Sequence, residues 1–573
     1  MPTIYSSPFS PIPIPKISVF NLFFPDTDPH ANHPAFIDGI SGRVVTRAQL
    51  QRDARVLAFG LRNNLEYLLG AINVSRHGTI LVFSPNSMSY PLIICAALAG
   101  GIRLSLASSA LMPPELAYQI KDSEPSHIAV HPTLFPVLLK ALEILGVDVQ
   151  SKDLRRRIIL LAPATEVPAE LNSQGWFNLG DVMKANRQLQ PERFDNHEAD
   201  RTSLILYSSG TTGLPKGVEL THYNIVAQIL SLRNSGRYPD QAGVDVTIGA
   251  VPYFHVYGVL TLIHYALSCG IASVVLPKFE PATFLSAIQK YHTTSAYCAP
   301  PSIAFIANSP LVGRYDLSSL KSVISAAAPL STAIAQRAEL RLEASGAKGV
   351  YISQLYGITE TTGGVTATPY GRNDKHTSCG CLVANVEARL VREDGTDSKE
   401  GESGELWIRS PYIMKGYLNK PHATRAAIED GFYKTGDIAV RDDEGFFYVV
   451  DRKKELIKYK GYQVSPAEVE NVLFQHPDVE DCAVVGVLEP ETQNELPRFG
   501  IHCPRDRTLV GTPASKLTAD IHQWVKDRLS PHKALRGGVR LITGVPKSAA
   551  GKVLRRELHV LARNEVVDAA AKL

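Results

Sequence analysis

Apolar residues along the chain fall into short runs separated by stretches with helical spacing. Thr79–Phe83, Ile158–Leu161, Leu204–Tyr207, Val274–Leu276 and Val323–Ser325 read as buried strands. Their alternation with helical patterns predicts α/β layers over most of the chain. The most apolar stretch, Val256–Pro277, is interrupted by His264, Ser268 and Gly270. It reads as a buried helix, a turn at Gly270-Ile271 and a buried strand over Ala272–Leu276, not as a transmembrane segment. No repeat with a period of roughly 20–50 residues is visible, which argues against solenoids and propellers.

The pattern changes at the charge-rich segment Asp451-Arg452-Lys453-Lys454-Glu455. Beyond it come a helix signal, a strand at Cys482–Val487, a helix near Leu517–Leu529 and a strand at Val539–Thr543. This predicts a separate α+β unit of about 120 residues. Its first helix starts at Ser465 as N-cap, with Pro466 at the first position and Glu468 at the third, the pattern of a reciprocal capping box. Val469, Val472 and Leu473 give one apolar face, and Pro477 stops the run. The expected organisation is an irregular Pro-rich arm (1–34), a large domain (35–451), a mobile cap domain (452–570) and a terminal tripeptide (571–573). The arm carries Pro8, Pro11, Pro13 and Pro15 and lacks the basic start and unbroken apolar run of a signal peptide.

Composition changes this picture little. The chain has 573 residues, 45% hydrophobic and 20% charged, as in soluble globular enzymes. Lys plus Arg is 59 and Asp plus Glu is 56, a net charge of +3. That balance is too even for a nucleic-acid binder, but it allows ATP or coenzyme A at local sites. The seven cysteines make no disulfide framework, and Cys379-x-Cys381 lacks zinc-ribbon spacing. A reducing intracellular compartment is expected. Ala571-Lys572-Leu573 resembles the Ser-Lys-Leu peroxisomal address, so a peroxisomal location and an import receptor as partner are expected.

The strongest chemical signal is Tyr207-Ser208-Ser209-Gly210-Thr211-Thr212-Gly213-Leu214-Pro215-Lys216-Gly217. It follows a strand-like run and precedes a helical pattern, Tyr223–Leu232. Gly210, Gly213 and Gly217 let backbone approach a ligand closely. Ser208, Ser209, Thr211 and Thr212 supply hydroxyl donors and Lys216 supplies charge, a set that can embrace a polyphosphate. It is not a Walker loop, which ends G-K-[ST].

This loop resembles the phosphate-binding signature of the adenylate-forming superfamily, and the resemblance runs over roughly residues 35–560. Further matching segments are Val251–Tyr257, Ser325–Leu330, Gln354–Glu360, Tyr433–Asp437, Asp451–Gly461 and Pro546–Lys552. The branch most similar is that of acyl-CoA synthetases and 4-coumarate–CoA ligases, and within it the fungal peroxisomal ligases of secondary-metabolite and toxin biosynthesis. The resemblance implies a large multi-subdomain α/β domain with mixed sheets and a small mobile α+β cap. It also implies a two-step reaction with ATP, Mg²⁺ and CoA: a carboxylic acid becomes an acyl-adenylate with release of pyrophosphate, and CoA then displaces AMP.

Residue by residue, the resemblance implies the following roles. Tyr356 offers adenine a flat face, flanked by Ala327, Gln354, Leu355 and Gly357. Asp437 and Arg452 hold the ribose, Thr359 binds the α-phosphate and Glu360 holds Mg²⁺. Lys552 bridges the substrate carboxylate and the α-phosphate. Lys454 is the hinge, Lys458 and Gln463 lie near the adenylate, and Lys460-Gly461 line the CoA path. His255 gates the acyl pocket, which also takes Tyr257, Asn308, Ala326, Ala328 and Leu355. No acidic residue occurs in Phe254-His255-Val256-Tyr257, so a substrate without an α-amino group is expected.

Two departures bear on the substrate. The related ligases have Gln-Gly-Tyr-Gly where this chain has Gln354-Leu355-Tyr356-Gly357, and Ala326 replaces a glycine. Both narrow the expected pocket. With Ile303, Phe305 and Ile306 nearby, they point to a medium-chain, unsaturated or polyketide-type aliphatic acid. A hydroxycinnamate ligase and a luciferase-like oxygenase using the same adenylate are the alternatives.

Overall fold

The computed structural model describes residues 2–63, 73–208, 214–237, 240–459, 462–488, 495–502, 514–548 and 551–570. Ser209, Gly210, Thr211, Thr212, Gly213, Lys460, Gly461, Ala571, Lys572 and Leu573 lie outside the described residues.

Three sheets build the part before the linker. In an eight-stranded sheet, Arg103–Ala107, Thr79–Phe83, His127–Val130 and Ile158–Leu160 run parallel, with Thr202–Ser208 beside Arg103–Ala107. In a nine-stranded sheet, Tyr351–Ile358, Ser322–Ser325, Ser295–Cys298, Val246–Gly249 and Ala272–Val275 run parallel. These strands are buried on both faces, which is why they read as continuous apolar runs rather than as alternation. A six-stranded antiparallel sheet contains Phe432–Arg441 and Phe447–Arg452.

The parallel register of Ser295–Cys298, Ser322–Ser325 and Tyr351–Ile358 pairs Cys298 with Ser325 and Ser325 with Gln354. The segments that follow these pairs, beginning at Ala299, Ala326 and Leu355, therefore emerge side by side, where α/β sheets place ligands.

Val256–Cys269 is helical and buried, with a π-helical middle over Val259–Tyr265. Gly270 closes it in the left-handed region (φ 68°) before the strand Ala272–Val275. No described helix is long and apolar enough to cross a membrane.

Two expectations need correction. A strand, Lys216–Thr221, separates the Gly/Thr loop from the helix His222–Arg233 and pairs antiparallel with Thr202–Ser208. The loop thus connects two strands, not a strand and a helix. The N-terminal arm is irregular over most of its length. Tyr5 and Ser6 pair with Ala388 and Glu387, and a short helix, Val19–Phe23, buries Val19, Phe20 and Phe23 in the main core. The capping box at Ser465 is half formed: Ser465 Oγ accepts from the Glu468 N–H at 3.2 Å, while the Glu468 carboxylate pairs with Lys533.

After the linker, Ile457–Tyr459 and Tyr462–Val464 form a ribbon, and Asp481–Leu488, Glu495–His502 and Val539–Leu541 form a three-stranded sheet. The helices Pro466–Leu473, Ala514–Lys526 and Arg555–Ala570 accompany them. Val464, Val469, Leu473, Ile521 and Val525 share a core of their own.

Candidate active site

A cavity of about 620 Å³ lies between the carboxyl ends of the nine-stranded sheet and the segment carrying Lys552. One wall carries Ala304, Phe305, Asn308, Ala327, Ala328, Leu355 and Tyr356. A charged wall carries Asp437, Arg452, Glu455, Gly551, Lys552 and Arg555. Apolar and charged lining share one cavity, the pattern of a site that orients an amphipathic ligand.

Backbone geometry shapes the apolar wall. Ala327 sits in the left-handed region (φ 76°), a conformation that costs an alanine about 1–2 kcal/mol. Gly357 lies so close to the neighbouring strand that a Cβ there would meet the Gly363 carbonyl oxygen at 2.0 Å.

The charged wall is organised around Asp437, whose side chain is buried. Its Oδ2 accepts from the Tyr356 hydroxyl at 2.6 Å, and Arg452 Nε lies 3.2 Å from its Oδ1. Burial raises the Asp437 pKa, and Arg452, the Tyr356 hydrogen bond and Lys552 oppose the rise. Each carboxylate oxygen has two lone pairs, so one acceptor site on each remains for a pair of hydroxyls. The Tyr356 ring, tethered through its hydroxyl, presents a fixed surface to the cavity.

Glu360 starts from a single turn, Thr359–Thr361, and both Thr359 and Glu360 are buried. The Glu360 Oε1 accepts from Ser208 Oγ at 3.0 Å and from the Tyr417 hydroxyl at 3.0 Å. Lys216 Nζ stands 4.1 Å from the centre of the Tyr417 ring. The two ends of the phosphate-loop signature therefore converge on Glu360 and Tyr417. Among the described residues no group of three His, Cys, Asp or Glu could hold a metal ion. One buried carboxylate suits Mg²⁺, which is commonly held by one or two carboxylates plus substrate phosphates.

Burial lowers the pKa of Lys552 to about 8; the Arg452 cation adds to the drop, and Glu455 and Asp437 oppose it. Burial likewise lowers His255 to about 4, with Lys552 contributing second, so its ring is neutral at pH 7. The His255 Nδ1 accepts from the Tyr257 N–H at 3.2 Å, which leaves the neutral ring's proton on Nε2.

Several expected pocket residues stand elsewhere. Tyr257, Ala326 and His255 do not line the cavity. The Tyr257 hydroxyl is spent on the Ile324 carbonyl at 2.8 Å and the Cys298 carbonyl at 3.3 Å. Ile303 and Ile306 are buried against the sheet, and only Phe305 of that trio reaches the cavity. Gln354 borders the cavity, but its amide bonds to Leu330 on both sides and to His376, so it supplies wall and no free donor. Lys458 pairs with Gln463 across the two-stranded ribbon. Lys454 is exposed in the linker.

Sequence reasoning missed a group that supports Lys552. Arg555 bonds Glu455 at 2.8 Å, Glu470 at 2.6 Å and the Val484 carbonyl at 2.8 Å. Burial raises the Glu455 pKa, but Arg555, together with Arg452 and Lys552, holds it below the usual carboxylate value. Only the short spacing from Lys552 to Arg555 hinted at it; Glu455 is 100 residues away.

Residues 25–418 match the AMP-binding enzyme family, and residues 468–552 match the AMP-binding enzyme C-terminal domain. The chain is 32% identical to the probable CoA ligase CCL5 of Humulus lupulus, covering 98% of this chain and 97% of that one. It is also 32% identical to the peroxisomal OPC-8:0-CoA ligase 1 of Arabidopsis thaliana (98% and 96% covered). Identity reaches 36% with a putative acyl-coenzyme A synthetase of Emericella nidulans, over 91% of each chain. In fold it is similar to the anthranilate CoA ligase AuaEII in complex with anthranoyl-AMP, with TM-score 0.82 at 24% identity over 97% of this chain and 99% of that one. ATP-bound MatB from Rhodopseudomonas palustris gives TM-score 0.79 at 23% identity over 95% and 98%. With both domains matched and relatives of this similarity along nearly its whole length, the chain belongs to the AMP-binding enzymes, in their branch of AMP-forming CoA ligases.

Proposed function

We propose that this ligase activates a medium-chain, unsaturated or polyketide-type aliphatic acid for secondary metabolism. The observation that carries the substrate reading is Leu355. It is only 9% exposed, packs into the main core and still borders the cavity, so it fills space where the related ligases have a glycine. A slim chain fits beside Leu355, Ala327, Ala328 and Phe305 more easily than a ring does.

In the first step the acid's carboxylate oxygen forms a bond to the α-phosphorus of ATP, and the bond to the β-phosphate oxygen breaks, releasing pyrophosphate. In the second the CoA sulfur bonds the acyl carbon and AMP leaves. We assign adenine to the Tyr356 face, the ribose hydroxyls to Asp437 with Arg452, and the α-phosphate to Thr359. Lys552 neutralises charge where carboxylate and phosphate meet, a role that needs its protonated form. Glu360 would hold Mg²⁺, which when bound supplies charge neutralisation to the phosphates. Neutral His255, with its proton on Nε2, acts as a donor and gate between the acyl site and the thiol path rather than as a base. Lys458 and Gln463 serve the adenylate, and Lys454 is the pivot about which the small domain turns between the steps.

The test is a panel of acids scored by ATP- and CoA-dependent thioester formation. Higher kcat/KM for C8–C12 acids than for coumarate supports the aliphatic reading. The reverse supports an aromatic acid, a reading favoured by a Dictyostelium discoideum relative named probable 4-coumarate–CoA ligase 1. Peroxisomal import rests on Ala571-Lys572-Leu573 and on the peroxisomal Arabidopsis relative. Deleting the tripeptide from a fluorescent fusion should leave the protein outside peroxisomes.

A further inference from the structure

The linker carries a contact that the two-step chemistry does not itself require. Asp451 lies in the strand Phe447–Arg452, and Ile438 is its partner in Phe432–Arg441. It therefore belongs structurally to the part before the linker. Its side chain is buried, and Oδ1 accepts from the Arg452 N–H at 2.7 Å. The other oxygen, Oδ2, accepts from Ser465 Oγ at 2.7 Å and from the Ala467 N–H at 3.2 Å. Ser465 and Ala467 form the N-terminus of the helix Pro466–Leu473. Ser465 Oγ also lies 3.0 Å from the Val450 carbonyl, again in the Asp451 strand.

A helix N-terminus favours an anion, and a capping side chain normally comes from the first turn or the residue before it. Here a second capping group comes from 14 residues upstream of Ser465, on the other side of Lys454. The other ties that span that residue are the local turn bonds of the Glu455 and Leu456 N–H groups to the Arg452 carbonyl, at 2.9 and 3.1 Å, the charge interactions of Arg452 and Lys552, and the packing of Phe474. Arg555, Glu455 and Glu470 all follow Lys454, so their ion pairs turn together with the small domain. Lys453 and Glu405 both precede it, and their 2.9 Å pair stays with the large domain. Rotation at Lys454 that leaves Asp451 in its strand carries Ser465 and Ala467 away from it. The contact can exist only in the pose seen here, with Lys552 at the cavity.

We propose that Asp451 is a positioning residue, a latch across the linker that stabilises the pose for adenylation and is released for thioester formation. The inference rests on the two-step reading above and adds to it a named group that sets the balance between the two poses. A ligand or contact shifts such a balance only by what it contributes to one state and not the other, and these bonds are present in one state alone.

The experiment compares Asp451→Asn, Ser465→Ala and Ser465→Thr with the unaltered full chain. Two rates are measured with the best acid of the panel: acid-dependent ATP–pyrophosphate exchange, and thioester formation from that acid's adenylate with CoA and no ATP. Asp451→Asn and Ser465→Ala should shift the ratio of the two rates roughly tenfold toward thioester formation, and Ser465→Thr, which keeps the hydroxyl, should restore it. A purely structural cap would lower both rates together. Equal losses, or an unchanged ratio in Ser465→Ala, overturn the latch and leave the ligase reading intact. Failure of the unaltered protein in both half-reactions overturns the ligase reading and the latch with it.

Discussion

Lys552 is where the charge of the site is most finely set. Its pKa of about 8, against an ordinary 10.5, means that the ammonium is present below that pH and lost above it. Adenylation that depends on the cation should therefore fall as pH rises through about 8, read as pyrophosphate exchange; a rate that stays flat to pH 10 would refute this. Lys552→Ala should cost adenylation about 10²–10³-fold, in the range of lost oxyanion donors, with much less effect on thioester formation from supplied adenylate. Equal losses in both steps would show that the lysine does not divide its work this way. At Leu355 the expectation concerns selectivity. Leu355→Gly should move preference toward bulkier or aromatic acids, and an unchanged ranking would take Leu355 out of the acyl site.

At the scale of elements, the strand Tyr351–Ile358 does two jobs. Its buried half holds the sheet, and its carboxyl end presents Leu355, Tyr356 and Gly357 to the cavity. The backbone can do this because Gly357 nests against the Gly363 carbonyl with no room for a side chain. Gly357→Ala should force the strand pair apart, costing about 1–3 kcal/mol of stability and raising the KM for ATP. A shift in Tm with an unaltered KM would mean that Tyr356 is not held by this contact. The hairpin from Thr202–Ser208 to Lys216–Thr221 matters similarly, since it brings Ser208 to Glu360 and Lys216 to Tyr417.

For the whole molecule the question is how the small domain holds together as one body, as the proposed turn at Lys454 requires. Arg555 supplies the rigidity by joining Glu455 beside the linker to Glu470 on the first helix and to the strand carrying Val484. Arg555→Ala leaves two half-buried carboxylates without their cation and should cost about 3 kcal/mol, seen as an early unfolding step of the small domain. Lys454, exposed in the linker, should behave in the opposite way. Lys454→Ala is expected to leave Tm within about 2 °C of the parent, as substitutions outside buried networks do.

Local pattern was enough to read much of this protein. Strands such as Thr79–Phe83 were legible because burial on both faces writes an unbroken apolar run. The helix start at Ser465-Pro466 was legible because capping acts within one turn. The ordered signatures around Lys216, Glu360, Asp437 and Lys552 identified the chemistry, since side-chain type and spacing carry it. What they could not give were partners distant in the chain. Tyr356 spending its hydroxyl on Asp437, Tyr257 turning to backbone carbonyls and Ser465 meeting Asp451 across the linker follow from how sheets and domains pack. The sequence by itself determined which groups are present and how each short element begins and ends. Only the tertiary structure decided which groups face one another, because burial and hydrogen-bond geometry depend on the packing of whole elements.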